Sequence, residues 1–251
     1  MDYNVTNNPT ASHKGGPGMI YTKAIIFAVL AAAILSAMPI SLAENETSSS
    51  KAANGHLQSD QNLAKPGVGG LLYSDDFSSS KSGWAQYSKG KFLALYKNGK
   101  YHVTAVPALY FSWNRLPRLN FSDFVLEVEA TKEAGPDDND FGVVVREFNS
   151  SDYYAFLLSS DGYYRVLKLQ NNSWGNVPDW SKSSAIKTGN ATNLVKVVCN
   201  GDKFSFYANG AKLTDYNDSS FANGRVGLLV EAKSEGNVTI GFDNLTVWAI
   251  K

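Results

Sequence analysis

Residues 71–251 read as an all-β domain of two packed antiparallel sheets, and three observations carry that reading. Short runs rich in Val, Phe and Tyr recur at close spacing, and these residues favour strands. Asn-Gly, Asp-Gly and Asn-Asn pairs punctuate the runs, which is the chemistry of tight turns. No stretch sustains a helical apolar period, so no amphipathic helix competes. Many short strands so spaced close into a sandwich. An N-terminal signal or anchor helix and a disordered linker are expected ahead of it.

The elements follow in chain order. Residues 1–43 are an extension and a secretory signal by pattern. Lys23 precedes an apolar run over 24–37, Pro39 breaks it, and Ser41-Leu42-Ala43 places small residues where a signal peptidase reads. Met19 offers a second start that would leave a short basic n-region. The run also has about the length of a membrane span, roughly 17–25 residues, so an uncleaved anchor is the alternative. Membrane contact is expected only through this segment. Residues 44–70, from Glu44 through Lys65-Pro66-Gly67, hold too few apolar side chains to offset ordering entropy, and read as a tether. The chain is therefore expected to be secreted or held at the cell envelope.

Within the domain, residues 124–130 alternate apolar and charged side chains at their end, as a half-buried strand should. Strands are expected at 141–146 and 153–158, and Ser159-Ser160-Asp161-Gly162 turns the chain into 163–169. Asn171-Asn172 turns again towards Trp174. Residues 194–199 meet 203–208 across Asn200-Gly201-Asp202, and Asn209-Gly210 is the strongest hairpin signal. Runs at 226–231 and 238–248 close the domain.

Composition removes several functions. The formal net charge is +0 and no basic cluster stands out, so a nucleic-acid partner is not expected. The single cysteine, Cys199, ends the apolar run Val195-Lys196-Val197-Val198, which predicts a buried, inert thiol. With His13, His56 and His102 as the histidines, a zinc site has too few ligands. Asn-x-Ser/Thr acceptors are dense, at Asn45, Asn120, Asn149, Asn171, Asn190, Asn217, Asn237 and Asn244. In an exported chain they predict a glycoprotein carrying glycans on exposed loops.

Four strings carry a family resemblance: Asp75-Asp76-Phe77 with Ser82-Gly83-Trp84; Gly135-Pro136-Asp137-Asp138-Asn139-Asp140-Phe141-Gly142; Ser159-Ser160-Asp161-Gly162-Tyr163-Tyr164-Arg165; and Phe242-Asp243-Asn244-Leu245-Thr246-Val247. Together they resemble the concanavalin A-like, laminin-G-like jelly-roll modules of exported microbial proteins, a wider group that includes the 3-keto-disaccharide hydrolase domain. The resemblance spans residues 71–251. It implies a jelly-roll sandwich and fixes no activity.

Candidate sites follow. Glu127 and Glu129 share one strand face, the arrangement of jelly-roll hydrolases, but Leu126 and Val128 between them should face the core and the fuller triple-acid pattern is absent. No catalytic residue is assigned. One structural calcium is expected at Asp76 and Asp243, which the first and last strands would bring together. The run Asp137-Asp138-Asn139-Asp140 is a second oxygen set, and turn capping is the alternative for both. Tyr154, Tyr164, Arg165, Trp174, Asp179 and Trp180 are the expected ligand-binding residues: rings to stack on a sugar, with charged groups to bond its hydroxyls. Adjacent tyrosines point to opposite faces, so one of each pair belongs to the core. The expected function is a non-catalytic extracellular binding module for carbohydrate or a cell-surface polymer. The alternatives are a structural or adhesive envelope protein and a glycan-active hydrolase.

Overall fold

The computed structural model describes residues 68–106, 110–116, 119–175, 178–233 and 235–251. The leader and nearly all of the expected tether lie outside them, as do the side chains of 110–114. The described residues belong to one compact unit, Ser59–Lys251. They form strands and turns and contain no helix.

The strands are β1 (Val68–Asp75), β2 (Phe92–Lys97), β3 (Lys100–Ala105), β4 (Tyr110–Arg115), β5 (Phe124–Ala134), β6 (Asn139–Asn149), β7 (Asp152–Leu158), β8 (Tyr163–Gln170), β9 (Ser173–Trp174), β10 (Ser181–Lys182), β11 (Thr192–Asn200), β12 (Lys203–Ala208), β13 (Ala211–Asn217), β14 (Arg225–Ala232) and β15 (Val238–Ile250). The larger sheet runs β13-β12-β11-β5-β15-β3-β2, with β1 also on β15. The smaller runs β10-β8-β7-β6-β14-β4, with β9 also on β8. The paired strands are antiparallel throughout. Each expected run is a strand. The first strand starts at Val68 rather than Leu71, because Val68 is buried against the domain.

Alternation builds the core. Phe124, Leu126, Val128 and Ala130 of β5 face inward with Phe204 and Phe206 of β12. From the other sheet Phe141, Val143, Tyr154 and Phe156 meet them. Asn209-Gly210 forms its hairpin with both residues at positive φ, 52° and 84°. Cys199 is fully buried, and burial pushes its thiol pKa up. β15 keeps its apolar side chains inward by a bulge. Ile240 and Phe242 point in, the register slips between Asp243 and Thr246, and Leu245 and Val247 then also point in. Asn244 takes φ 51° at the slip.

The smaller sheet carries an apolar cluster on each face. Val144, Tyr153, Leu157, Leu167, Leu169 and Leu229 form a second cluster on its outer side, covered in part by Trp174 and Trp180. Tyr153 and Tyr154 do take opposite faces, yet both are buried.

A polar tie joins the two sheets at one edge. Tyr154 Oη donates to Asp218 Oδ1 at 2.6 Å, and Lys168 Nζ reaches Asp218 Oδ2 at 2.6 Å. Burial alone would raise the Asp218 pKa, but hydrogen bonds from Lys168, Ser220 and Tyr154 hold it well below the usual carboxylate range. A carboxyl depressed on folding stabilises the fold above its unfolded pKa, about 3.9, and that stability is lost as pH falls towards the folded value. Asp218→Asn is therefore expected to lower Tm at neutral pH and to flatten the fall of Tm below about pH 4. Parallel wild-type and variant melting curves across acid pH would contradict this.

Candidate functional site

The smaller sheet ends in two short strands with a gap between them. β10 pairs with β8 at Tyr164 and Tyr163, and β9 pairs with it at Leu169 and Gln170. Between these pairings the edge of β8 is open. A cavity of about 750 Å³ occupies that opening, bounded opposite by β13 of the larger sheet. Its size suits a small ligand or a short stretch of polymer.

Of the expected ligand-binding residues, Tyr164, Arg165, Trp174 and Asp179 line this cavity, with Tyr216 and Asp218 across from them. Trp174 and Asp179 are brought beside the β7–β8 hairpin because the short strands next to them, β9 and β10, both pair with β8. Tyr164 is half-buried and its Oη donates to the Leu213 carbonyl at 2.9 Å, fastening the groove's two walls. Trp174 is half-buried, its ring edge-on to Tyr153 at 6.2 Å. Asp179 is exposed.

Two expected residues lie elsewhere. Tyr154 is 0% exposed and packed between the sheets against Phe204 and Phe221, so it faces no ligand. Its strand position points inward, which a tyrosine pair alone does not reveal. Trp180 sits on the outer face of the smaller sheet, with the Arg165 guanidinium 4.4 Å from its ring centre.

Sequence reasoning missed the charged group beside Trp180. Asp140 of β6 and Glu231 of β14 are register partners. Lys233 Nζ lies 2.5 Å from Asp140 Oδ2 and 2.6 Å from Glu231 Oε2. Arg165 approaches Asp140 at 3.6 Å. Burial pushes the Asp140 pKa well up, opposed by Lys233 and reinforced by Glu231. Asp140 was visible only as part of an acidic loop string. Its pairing with Glu231, ninety-one positions away, is a fact of topology.

Asp76 follows β1, which lies along β15, the strand of Asp243, and Asp75 pairs with Leu245. Both side chains serve local turns. Asp76 Oδ1 accepts from Ser78 N and Oγ at 3.0 and 2.7 Å, and Asp243 Oδ1 accepts from Asn244 N at 2.8 Å inside the bulge. Among the described residues no group of three or more His, Cys, Asp or Glu side chains stands in metal-binding geometry. The Asp137–Asp140 oxygens diverge: Asp137 pairs with Lys132, Asn139 donates to the Pro136 carbonyl, and Asp140 turns to Lys233. Glu127 is ion-paired to Lys196 at 3.4 Å on the outer face of the larger sheet, and Leu126 and Val128 face the core.

Asn120, Asn171, Asn190, Asn217 and Asn237 are exposed. Asn149 is half-buried, and its amide already donates to Asp152 Oδ2 at 2.7 Å. A glycan there would have to break that bond.

A second cavity, of about 460 Å³, lies on the larger sheet around His102, Glu133 and Lys100. His102 Nε2 is 2.8 Å from a Glu133 oxygen. No Trp, Tyr or Phe lines it, so it offers no broad ring face.

No protein-family model and no curated protein matches the chain. Solved structures do. Carbohydrate-binding module CBM66 from Bacillus subtilis aligns at 20% identity and TM-score 0.50, over 67% of this chain and 92% of that one. A Bacillus subtilis protein of unknown function with a galectin-like fold aligns at 14% identity and TM-score 0.52, over 72% and 96%. The β-glucanase of Bacillus licheniformis aligns at 9% identity and TM-score 0.53, over 73% and 99%. At these identities the likeness is one of architecture: the described residues form a two-sheet antiparallel jelly-roll sandwich.

Proposed function

We propose that this chain is a non-catalytic carbohydrate-binding module working outside the cytoplasm, with its ligand in the groove between β8 and β13. The observation that carries the reading is convergence: Tyr164, Arg165, Trp174 and Asp179 meet at one cavity of about 750 Å³. That set supplies an indole for stacking, a fork of N–H donors and a carboxylate acceptor, which are the groups a saccharide engages. Placement outside the cytoplasm rests on the leader pattern at 23–43. The architecture shared with a carbohydrate-binding module and a glucanase is consistent with this reading.

Trp174→Ala tests it. Aromatic anchors carry a large share of binding energy, so affinity for the best-bound oligosaccharide is expected to fall roughly tenfold or more. The ring covers the outer apolar cluster only in part, so the stability cost should stay at about 1–2 kcal/mol, short of the ~3–5 kcal/mol of a core tryptophan. A titration beside a melting curve separates the outcomes. Unchanged affinity with a large drop in Tm would make Trp174 scaffold and favour a structural envelope protein.

A further inference from the structure

On the outer face of the smaller sheet, next to the groove, Asp140, Glu231, Arg165 and Lys233 form one cluster. Asp140 is 1% exposed and Arg165 5%. Asp140 Oδ2 is ion-paired to Lys233, while Asp140 Oδ1 and Arg165 Nε are buried without a hydrogen-bond partner. Leaving an acceptor and a donor unmade side by side is costly, and a native structure needs a reason for it. Arg165 Nη2 and Asp140 Oδ2 are 3.6 Å apart, too far for a hydrogen bond and suited to a bridging group. A hydroxyl both donates and accepts, so one O–H satisfies the carboxylate and the guanidinium together.

Charge narrows the ligand. Two carboxylates face two cations, so the cluster is balanced. A carboxylate or sulfate entering it would meet Asp140 and Glu231, and an amine would meet Lys233 and Arg165. A neutral hydroxyl disturbs neither. Arg165 also lines the groove cavity, so the cluster continues the groove wall. Trp180 packs on the guanidinium, and Arg165 is the member of the cluster that lines the cavity.

We infer that this cluster is the specificity subsite of the groove: it takes one hydroxyl of a neutral saccharide, which donates to Asp140 and accepts from Arg165. The inference rests on the carbohydrate-binding reading above. Arg165 is a ligand contact, Glu231 holds Lys233 in place, and Lys233 positions the Asp140 carboxylate.

The test uses the full-length chain on an array of neutral, uronate-bearing and sulfated oligosaccharides. The best neutral binder is then titrated beside its monodeoxy analogues against wild type, Arg165→Lys and Trp174→Ala. Neutral saccharides should be preferred. One deoxy analogue should bind wild type about 10- to 100-fold more weakly, the span expected for a hydrogen bond to a charged group. Arg165→Lys, which keeps the charge and lacks Nε, should bind parent and that analogue alike. Preference for acidic saccharides overturns the inference, as does a deoxy series in which no single hydroxyl stands out on wild type, whether or not the variant folds. In either case, weakened binding by Trp174→Ala leaves the groove reading standing. Binding to no saccharide overturns both.

Discussion

Arg146→Met is expected to cost roughly 3–5 kcal/mol and to lower Tm by about 10 °C or more, although the residue does not line the groove. Arg146 is 1% exposed and sits at a bulge of β6 with φ 49°. Its guanidinium ties three loops at one end of the sandwich. Nη2 donates to the Ser122 carbonyl at 2.9 Å, and Nη1 to the Gly201 and Phe221 carbonyls at 2.6 and 3.0 Å. Asp123 Oδ1 accepts from Nη2 at 3.1 Å and takes the Gly201 N–H at 2.8 Å, so the carboxylate belongs to the same knot. The Phe204 ring lies 4.8 Å under the guanidinium. Methionine fills much of the volume but leaves the Ser122, Gly201 and Phe221 carbonyls short of their buried donor. Arg146→Lys should fall between the two, since one ammonium cannot span all the acceptors. A melting temperature for Arg146→Met within a degree or two of wild type would show that water replaces the guanidinium at no cost.

Gly142→Ala is the second large effect, expected at roughly 3 kcal/mol or more. A Cβ at this position would stand 2.1 Å from the Phe156 carbonyl oxygen and 3.2 Å from Leu157 Cα, which are backbone atoms that no rotamer change removes. β6 and β7 would have to separate along the pairing Gly142↔Leu157, dragging Phe156 from its contacts with Phe204 and Phe206. Gly70→Ala is the control. It meets nothing within 4 Å, and its melting curve should overlay wild type. Equal behaviour of the two variants in denaturant melts would refute the steric account.

The fold was legible in the sequence because its signals are local. Alternation over 124–130, the Asn209-Gly210 turn and the apolar run before Cys199 each report on neighbours a few positions away. Asn98-Gly99 has the same turn chemistry and went unread; it makes the β2–β3 hairpin with φ values of 52° and 72°. The groove was half legible. Trp174 and Asp179 follow Tyr164 and Arg165 closely in the chain, and short strands fold them back onto β8. Its opposite wall, Tyr216 and Asp218, arrives from another sheet. Tyr154 illustrates the limit: composition marks a ring, but only register decides that it faces Phe204. The Asp140–Glu231 pairing was illegible for the same reason, whereas the turn capping that occupies the Asp76 and Asp243 carboxylates is local and stood in the sequence as the alternative to an ion.

The central claim is that the open edge of β8 is where a saccharide binds. Amide hydrogen exchange of the full-length chain, with and without a saturating neutral oligosaccharide, addresses it without any substitution. Slowed exchange is expected along β8, through 173–181 and on the facing β13, with β2 and β3 unchanged. Protection confined to β2, β3 and the residues around His102 and Glu133, with β8 and β13 exchanging as before, would place the ligand on the other sheet and contradict the claim.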